Sequence, residues 1–502
     1  MKYIPTIGLE VHTELKTESK MFCSCKNDPL EKQPNVNICP ICMGHPGTLP
    51  FPNEKAIHQV IKAGLALNCT IAEHSKFDRK NYFYPDLPKG YQISQYDMPL
   101  ASKGYLQIGL PAGEAGERNI SITRIHLEED TGRSQHPEGT DYSLVDFNRA
   151  GIPLMELVTE PDIQSAKEAS AFAQELQMIF RYLGISDADM EKGQMRVEAN
   201  VSVRPEGTDK LGTKVEVKNL NSFRAVEESI EYEINRQTQV LSPSGRSPEG
   251  GDAGEEVQLE TRGWSESKGE TFSQRAKEEA HDYRYFPEPD IPPLTFTPEF
   301  IEKLRLEIPE LPQTRKARMQ KEYNLTDKEV SLLTKDKELG EYFEQVVSEL
   351  GPHLSKEELV KRVKLSVNYI VSDLQGLLQG ISVEHKDFKI TAENFAELIN
   401  MIADGKISSP AAKALLKKMF ETGGDPSQLL ESEGLAQVSD ESQIEAIARD
   451  IIAKNPKAVQ DYKKGKANAL QFLLGQMMSA TKSTINPTVA QNLLTQLLDN
   501  IK

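Results

Sequence analysis

The chain has few cysteines and no long apolar run, and each of these features excludes a class of protein. Five cysteines among 502 residues cannot form the disulfide framework that stabilises small secreted proteins. No apolar run approaches the roughly 20 residues of a membrane-spanning helix, and the first residues enter a predicted strand without a signal-peptide pattern. The net charge of -17 argues against nonspecific nucleic-acid binding by the chain as a whole. The sequence therefore predicts a large cytoplasmic enzyme of two or three domains.

Common phosphate-binding loops are missing too. Residues 207–214 contain two glycines at P-loop spacing, but Thr and Lys stand in the wrong order between predicted strands, so a hairpin turn explains the segment better. No G-x-G-x-x-G motif follows a predicted strand. If the chain uses ATP, metal ions and groups on a sheet must hold it.

The most informative feature present is the strict alternation of residues 7–16. One side of this predicted strand carries Ile7, Leu9, Val11 and Leu15, and the other carries Glu10, His12 and Glu14. Carboxylates and an imidazole at two-residue spacing can reach one cation, which favours binding of a hard metal. The alternative is the ordinary solvated face of an antiparallel sheet.

Two later segments repeat the pattern. Residues 196–204 place only Val and Ala on one side, and the other side carries Arg196, Glu198, Asn200, Ser202 and Arg204. Residues 214–218 alternate in the same way. Three such strands predict one sheet, packed on helices on one face and lined with charged groups on the other, a surface suited to phosphates and a divalent metal.

Four of the cysteines form two close pairs in a turn-rich segment. Cys23 and Cys25 precede Cys39 and Cys42 by a short loop, and two such pairs can converge on tetrahedral zinc. The alternative is four reduced thiols in a compact loop. Four thiolates would close the site, so the predicted zinc is structural, whereas Cys69 lies in an apolar stretch and is expected to pack in the core.

An aromatic segment, residues 77–96, alternates rings with basic side chains. It contains Arg79, Lys80, Tyr82, Tyr84, Lys89 and Tyr91. Aromatic faces beside basic groups can stack a terminal base and hold phosphate, as single-stranded RNA readers do. A rigid loop that packs its rings on the core explains the pattern equally well.

Periodicity and punctuation outline the remaining elements. Strands are predicted at 154–158 and within 100–127 and 194–221, helices at 54–67 and 165–183, and an exposed loop over 242–256. Prolines between 287 and 293 mark a boundary. Beyond it the sequence predicts helices at 356–378, 392–403, 409–420, 441–455, 465–479 and 487–500.

Five stretches carry a resemblance to a known family. Residues 8–12, 79–94, 126–130, 217–222 and 282–290 resemble the B subunits of the bacterial aspartyl/glutamyl-tRNA amidotransferases, and the similarity runs the whole length. Only the region before Glu260 departs, because residues 242–254 resemble an insertion. The implied fold class is α+β: a glutamine-synthetase-like cradle domain with an antiparallel sheet (1–292), an all-helical domain (293–406) and a YqeY-like helical tail (407–502) that contacts tRNA.

The resemblance also implies a reaction. ATP would phosphorylate the side-chain carboxylate of Glu on tRNA(Gln) or Asp on tRNA(Asn), and ammonia would displace the phosphate, which makes the enzyme a carbon–nitrogen ligase of protein biosynthesis. The sequence has no G-G-S-S amidase signature and no cysteine outside the zinc and core predictions that could act as a glutaminase nucleophile. The chain would therefore need partners, implied to be a glutaminase A subunit and a small C subunit in a heterotrimer.

Mapped onto this sequence, the resemblance implies four sets of site residues. The Mg²⁺ ligands would be Glu10, His12 and an acid of the run 128–130, Glu128 or Glu129, with Glu156 and Glu198 as further candidates. The catalytic groups would be Glu10, His12, Glu198 and Lys218, and the ATP contacts Arg196, Arg204, Glu216 and Asn219. The aminoacyl-tRNA contacts would be Arg79, Lys80, Tyr82, Tyr84, Lys89 and Tyr91.

Alternatives stay open for these assignments. The basic residues could form cross-strand ion pairs, the acidic run 128–130 could be a solvated turn, and His12 could be a general base rather than a ligand. At the level of the whole chain, the alternative is a catalytically silent, zinc-stabilised tRNA-binding subunit whose tail lysines (Lys454, Lys457, Lys463, Lys464 and Lys466) supply affinity. An unrelated ligase acting on a free amino acid would leave the helical tail unexplained.

Overall fold

A computed structural model describes residues 2–109, 116–242, 256–276, 282–351, 353–433, 441–481 and 487–500. The predicted exposed loop over 242–256 lies almost wholly outside these residues. The chain divides into two compact units, Met1–Leu311 and Pro312–Lys502. No helix among the described residues is both long and apolar enough to cross a membrane.

The first unit contains all the strands found in the described residues. They are β1 (Tyr3–Glu14), β2 (Thr70–Ile71), β3 (His74–Ser75), β4 (Asp78–Asn81), β5 (Tyr91–Ser94), β6 (Ala101–Gly109), β7 (Glu117–Glu129), β8 (Arg133–Gln135), β9 (Leu144–Asp146), β10 (Pro153–Thr159), β11 (Met195–Pro205), β12 (Val215–Leu220), β13 (Glu260–Ser265), β14 (Glu270–Ala276), β15 (Phe286–Pro287) and β16 (Leu294–Thr295). Its helices are α1 (Glu54–Ala66), α2 (Ala166–Tyr182), α3 (Phe223–Leu241) and α4 (Pro298–Leu306).

One large sheet organises this unit. Its described strands run in the order β14-β13-β12-β11-β1-β10-β7-β6-β2, and every pair is antiparallel except β12 with β13. The predicted strands at 7–16, 196–204 and 214–218 are adjacent in it, which confirms that they share one sheet. In this register Glu10 lies opposite Glu198, and His12 lies opposite Glu156 on its other side.

Alternation along the strands separates core from site. Ile7, Leu9 and Val11 are almost completely buried, and they join one hydrophobic core with apolar residues of α1, α2 and α3. Because successive side chains point to opposite faces, the residues between them lie on the other face. Serine N-caps begin two of the helices, since the Ser165 and Ser222 hydroxyls accept backbone N–H bonds at the starts of α2 and α3.

A small sheet, β15-β4-β5, carries the aromatic segment and is held against β7. The Gln92 amide donates to the Glu129 backbone carbonyl at 2.6 Å, and the Leu127 backbone N–H donates to the Gln95 side chain at 3.0 Å. The predicted loop therefore forms a hairpin beside the large sheet. The first unit also extends past the predicted boundary at 292, because β16 pairs with β3 and Leu304 packs in the core.

The second unit is helical in its described residues. Its helices are α5 (Pro312–Tyr323), α6 (Asp327–Thr334), α7 (Lys337–Glu349), α8 (Lys356–Asn368), a π-helical turn (Tyr369–Leu374), α9 (Gln375–Leu378), α10 (Ala392–Ala403), α11 (Ser409–Thr422), α12 (Pro426–Glu433), α13 (Glu441–Lys454), α14 (Pro456–Lys463), α15 (Ala467–Ala480) and α16 (Pro487–Asp499). One hydrophobic core runs from Met319 to Leu430 and another from Ile444 to Leu498. These cores separate after Leu430, later than the predicted division at 406. The predicted α+β class is confirmed.

Candidate active site

One cluster of metal-ligating side chains lies where β1, β10 and β7 are neighbours. The imidazole Nε2 of His12 is 3.3 Å from Oε2 of Glu156 and 3.9 Å from Oε1 of Glu128. One ligand atom of each of these residues lies within 4.8 Å of those of the other two. Strand pairing creates this cluster, because β10 lies between β1 and β7 and brings Glu156 beside both partners.

Positive groups surround the two carboxylates of this cluster. The imidazole Nε2 of His126 lies 3.3 Å from Glu156 Oε2 and 3.7 Å from Glu128 Oε2. Burial alone would lower the pKa of His126, but Glu156 and Glu128 raise it to about 9. Burial would likewise lower the pKa of Lys80, and the same two carboxylates raise it above its usual range. Against the effect of burial, Lys80 and His126 lower the pKa of Glu128, and His126 and His12 lower the pKa of Glu156.

A second cluster lies beside the first on the same face. Glu10 on β1, Glu198 on β11 and Glu216 on β12 bring carboxylate oxygens within 4.8 Å of one another. The Lys218 ammonium lies 2.7 Å from Glu198 and 3.5 Å from Glu216. Burial alone would lower the pKa of Lys218, but these carboxylates raise it above its usual range.

Neighbouring side chains orient the acids of the second cluster. The Asn200 amide donates to Glu10 at 2.9 Å, and the Thr261 hydroxyl donates to Glu216 at 2.8 Å. Carboxylate oxygens are the ligands that Mg²⁺ prefers. The donor sets of both clusters therefore fit divalent cations, and the two clusters are joined by β1, which carries Glu10 and His12.

Four predicted site residues are engaged or located elsewhere. Glu129 does not belong to the cluster of His12, Glu128 and Glu156, because it follows Glu128 on a strand and points to the opposite face. It pairs with Lys89 and accepts a hydrogen bond from the backbone N–H of Ile93 at 2.9 Å. Arg196 donates to Asp130 at 2.7 Å. The two others belong to neither cluster, since Arg204 donates to the Thr208 carbonyl and the exposed Asn219 has a φ of 60°.

Some side chains of the aromatic segment form contacts within the protein, whereas others are exposed to solvent. Arg79 forms two hydrogen bonds to the buried carboxylate of Glu288, at 2.7 and 2.8 Å, and its guanidinium lies 4.3 Å from the Tyr91 ring centre. Tyr82 donates to Gln92 at 3.3 Å. Tyr84, in contrast, is 67% exposed. Arg79, Lys89 and Tyr91 therefore hold the hairpin, whereas Lys80 lies by the metal cluster and Tyr84 is open to solvent.

The cysteine loop, residues 23–42, brings its four thiols together. The sulfur atoms of Cys23, Cys25, Cys39 and Cys42 all lie within 4.8 Å of one another. Sulfurs bound to one tetrahedral zinc at about 2.3 Å stand about 3.8 Å apart, and the Cys39–Cys42 distance is 3.9 Å. The loop thus has the dimensions of a closed zinc site.

Hydrogen bonds prepare one of these thiols to bind as a thiolate. A bond from the Cys23 thiol, the backbone N–H of Cys39 at 3.2 Å and the charge of Lys20 lower the pKa of Cys42 to about 5. The Lys20 ammonium, on a completely buried side chain, lies 3.9 Å from the Cys42 sulfur. The same hydrogen bond raises the pKa of Cys23, and burial raises the pKa of Cys25 to about 12. Because thiolates are the form that binds metal, the support for a zinc site is the spacing of the four sulfurs.

Sequence reasoning missed three groups that support these sites: His126, Thr261 and Lys20. His126 had a usable signal, because it lies two residues before Glu128 and therefore on the same face. Thr261 and Lys20 had none, since their partners are remote in the sequence.

Comparison with known proteins agrees with this architecture. Residues 5–302 match the family model described as "GatB/GatE catalytic domain", and residues 341–498 match the model described as "GatB domain".

Curated relatives match along almost the whole chain, and each is named as the B subunit of an aspartyl/glutamyl-tRNA(Asn/Gln) amidotransferase. The Thermotoga maritima protein is 46% identical over 504 residues, which cover 99% of this chain and 100% of the relative. The Caldanaerobacter subterraneus protein is 47% identical over 498 residues, with the same coverage. The Dehalococcoides mccartyi protein is 45% identical over 504 residues, covering 99% of each chain. These matches confirm the resemblance, and the chain belongs to the family of the aspartyl/glutamyl-tRNA(Asn/Gln) amidotransferase B subunits.

Proposed function

We propose that this chain activates the side-chain carboxylate of Glu on tRNA(Gln), or of Asp on tRNA(Asn), with ATP and then converts it to the amide. The observation that carries the proposal is the pair of acidic clusters joined by β1 on one sheet face. The names of the relatives support the two tRNA substrates.

Activation comes first because a free carboxylate is a poor acyl donor. Its oxygen attacks the terminal phosphorus of ATP, and the bond to ADP breaks. Glu10, Glu198 and Glu216 would hold one Mg²⁺, and His12, Glu128 and Glu156 another. Bound Mg²⁺ offsets charge on the phosphate oxygens during this transfer. Lys218 and Lys80 remain cationic within the clusters and supply further positive charge to the same oxygens.

Amide formation follows. Ammonia attacks the acyl carbon, a carbon–nitrogen bond forms, and phosphate leaves with the electrons of the broken carbon–oxygen bond. The chain has no recognisable glutaminase nucleophile, and its relatives are named as one subunit among several. We therefore assign ammonia supply to a glutaminase A subunit, with a small C subunit completing the complex.

We assign a structural role to the proposed zinc ion. Four thiols within 4.8 Å of one another, with Cys39 and Cys42 3.9 Å apart, would fill all four positions of a tetrahedral zinc, and closed sites of this kind contribute folding energy rather than chemistry.

The decisive test is Glu10→Gln in the reconstituted complex. The variant should lose tRNA-dependent ATP hydrolysis while the glutaminase activity of the partner survives. Glu18→Gln, an exposed acid beyond the end of β1, is the matched control and should keep both activities. Normal ATP turnover by the Glu10 variant would contradict the metal assignment.

The same assay tests the silent tRNA-binding subunit. If Glu10→Gln and wild type bind tRNA and hydrolyse ATP equally, the acidic clusters have no part in catalysis, and tRNA binding is the function that remains. The clusters argue against that role, because their carboxylates repel the phosphates that an RNA binder must attract. Turnover with free Glu or Asp but not with charged tRNA would instead indicate a ligase for free amino acids.

A further inference from the structure

A buried network of charged side chains lies behind the second acidic cluster, on the helix-covered face of the sheet. It joins α3 to β13 and β14 and contains two acids and two bases, none more than 9% exposed: Glu233, Arg236, Glu260 and Arg262. Arg262 donates to Glu260 at 2.7 Å, to the Thr271 hydroxyl at 2.8 Å and to the Thr271 carbonyl at 2.9 Å. The Thr271 hydroxyl donates to Glu233 at 3.2 Å, and Glu233 accepts two bonds from Arg236, at 2.7 and 3.0 Å. The charges of the four groups therefore balance inside the core.

The network is also bonded to β11. The Gln237 amide nitrogen donates to Glu233 at 2.8 Å and to the Val201 backbone carbonyl at 3.0 Å. Val201 lies on β11, the strand that carries Glu198. Through α3, the network therefore relates the position of β13 to that of a strand that contributes to the acidic cluster.

Two adjacent residues of β13 face opposite sides of the sheet. Arg262 points into the network, whereas Thr261 points to the site face and donates to Glu216 at 2.8 Å. In the pairing of β13 with β12, Thr261 lies opposite Glu216 and Arg262 lies opposite Val217. Because side chains alternate, a shift by one residue would turn Thr261 into the core and Arg262 towards the acidic cluster. The register of β13 therefore decides whether Glu216 keeps this hydrogen bond.

The strand pairings of β13 hold its register weakly. β12 and β13 are parallel and α3 separates them in the sequence, so no tight turn sets their pairing. On the other side of β13, the pairing with β14 shifts between Thr261 and Arg262, an irregularity of the kind that re-aims side chains next to functional sites. Arg262 bonds to both strands beside this shift and can fix the register there.

We propose that Arg262 is a positioning residue for the second acidic cluster. Its buried contacts fix the register of β13, and this register aims the Thr261 hydroxyl at Glu216. The inference rests on the proposed function, because it concerns carboxylates that are assigned to Mg²⁺ there. Stability alone does not explain the network, since buried ion pairs are often no more stabilising than apolar side chains of similar volume. Fixing a register is the best-attested role of buried polar groups.

Binding of Mn²⁺ to the full-length chain, followed by electron paramagnetic resonance, tests the proposal without ATP turnover. Mn²⁺ accepts the same carboxylate ligands as Mg²⁺. Thr261→Val removes the hydrogen bond to Glu216 and should weaken the binding of one Mn²⁺ by about tenfold, the usual effect of losing a group that orients a metal ligand. Arg262→Lys keeps the charge but loses the planar fork, and it should weaken the same Mn²⁺ by about tenfold.

The double variant distinguishes a positioning role from a separate contribution. If Arg262 acts through Thr261, the chain with both substitutions should bind Mn²⁺ as weakly as either single variant, because the hydrogen bond can be lost only once. Independent contributions would multiply to about 100-fold and would overturn the proposal. Arg315→Lys is the matched control. Arg315 is similarly buried, in the second unit, and bonds twice to Glu344, at 2.6 and 3.1 Å, so its substitution should leave Mn²⁺ binding unchanged.

Trp264, the single tryptophan of the chain, reports on β13 directly. It lies two residues after Arg262 and therefore on the same face, with its ring centre 6.3 Å from that of Tyr232 on α3. Its emission should move to longer wavelength in Arg262→Lys and stay as in wild type in Thr261→Val. Thr271→Val removes one bond to Arg262 at constant shape. It should produce smaller changes of emission and Mn²⁺ affinity in the same directions, and it replaces Arg262→Lys if that variant does not fold.

The outcomes separate the positioning role from the proposed function. A changed emission in Arg262→Lys with unchanged Mn²⁺ affinity overturns the positioning role, because the network would then serve stability alone. Failure of the proposed function looks different: the wild-type complex would not cleave ATP in the presence of charged tRNA, although Mn²⁺ binding responded to the variants as described. A wild-type chain that binds no Mn²⁺ overturns both.

Discussion

Glu128 and Glu129 are adjacent and almost completely buried, yet their substitution should have different consequences for activity. Glu128 forms the cluster of possible metal ligands together with His12 and Glu156. Glu129 faces the other way and pairs with Lys89. Replacing each by Gln removes one charge at nearly constant volume, so the pair isolates the effect of position.

Glu129→Gln should reduce stability. Breaking a buried ion pair costs about 3–5 kcal/mol, and we expect about 3 kcal/mol because Gln can still accept the Ile93 N–H. Unfolding entropy of about 2.1 cal/mol/K per residue gives about 0.65 kcal/mol/K for the unit Met1–Leu311. The melting temperature of this unit should therefore fall by about 5 °C. The Mg²⁺ dependence of ATP cleavage should stay as in wild type.

Glu128→Gln should reduce activity. The Ser94 hydroxyl now donates to Glu128 at 3.0 Å, and Gln can keep that bond. Loss of the Glu128 charge removes its attraction to Lys80 and His126 as well as its repulsion with Glu156, so the melting temperature should fall by about as much as in Glu129→Gln, and activity distinguishes the two variants. Single-turnover ATP cleavage at fixed Mg²⁺ should fall by at least about 100-fold, because a metal ligand is lost.

Calorimetry of each variant and single-turnover cleavage across a Mg²⁺ titration measure both effects. The reasoning is refuted if Glu129→Gln alters the Mg²⁺ dependence while Glu128→Gln does not. Equal losses of activity in the two variants at unchanged stability would also refute it, since Glu128 and Glu129 would then contribute to activity alike although they lie on opposite faces of β7.

Three further predictions address other parts of the chain. Metal analysis should find about one zinc per chain, and Cys39→Ser should lower both the zinc content and the melting temperature; protein without zinc would reduce the cysteine loop to packing. Burial and Asp130 raise the pKa of Glu14 to about 8, so its contribution to stability is present below about pH 4.5 and is lost as pH rises through 8. The melting temperature of Glu14→Gln, relative to that of wild type, should therefore rise between about pH 5 and pH 9. A difference in melting temperature that stays constant with pH would exclude titration of Glu14. A chain that ends at Glu433 should keep the core from Met319 to Leu430, whereas one that ends at 406 should lose its cooperative unfolding; equal protease resistance would contradict the division.

Local pattern predicted which face each strand presents, because a two-residue period assigns side chains without knowledge of the partner strand. It could not predict which strands are neighbours. Glu156 meets His12 only because β10 inserts between β1 and β7, a long-range pairing that no local pattern encodes. The resemblance supplied Glu156 as a candidate, and the strand order explains its position.

The misplacement of Glu129 has a different cause. Grouping residues 128–130 as one source of ligands overlooks the alternation that governs residues 7–16 and applies to β7 as well. With His126 and Glu128 on the site face, Glu129 belongs to the other face.

Helix α3 was missed because its buried face is partly polar. Ser229, Glu233 and Gln237 lie on it, and Glu233 pairs with Arg236 at 2.7 Å. Such a face lacks the apolar period that predicts a helix. The remaining signal was Ser222, which caps the helix.

Strand β7 lies between the cysteine loop and the cluster of His12, Glu128 and Glu156. Glu129 and Lys89 line a cavity with Cys23 and Cys42, and Glu128, one residue earlier, lies in the metal cluster. A loop fixed by zinc would hold Lys89 against Glu129, and Glu129 in turn fixes the backbone of β5 through Ile93. The backbone that positions Glu128 is thus anchored from the opposite face. Zinc bound in the loop would therefore influence the proposed metal site through the position of β7.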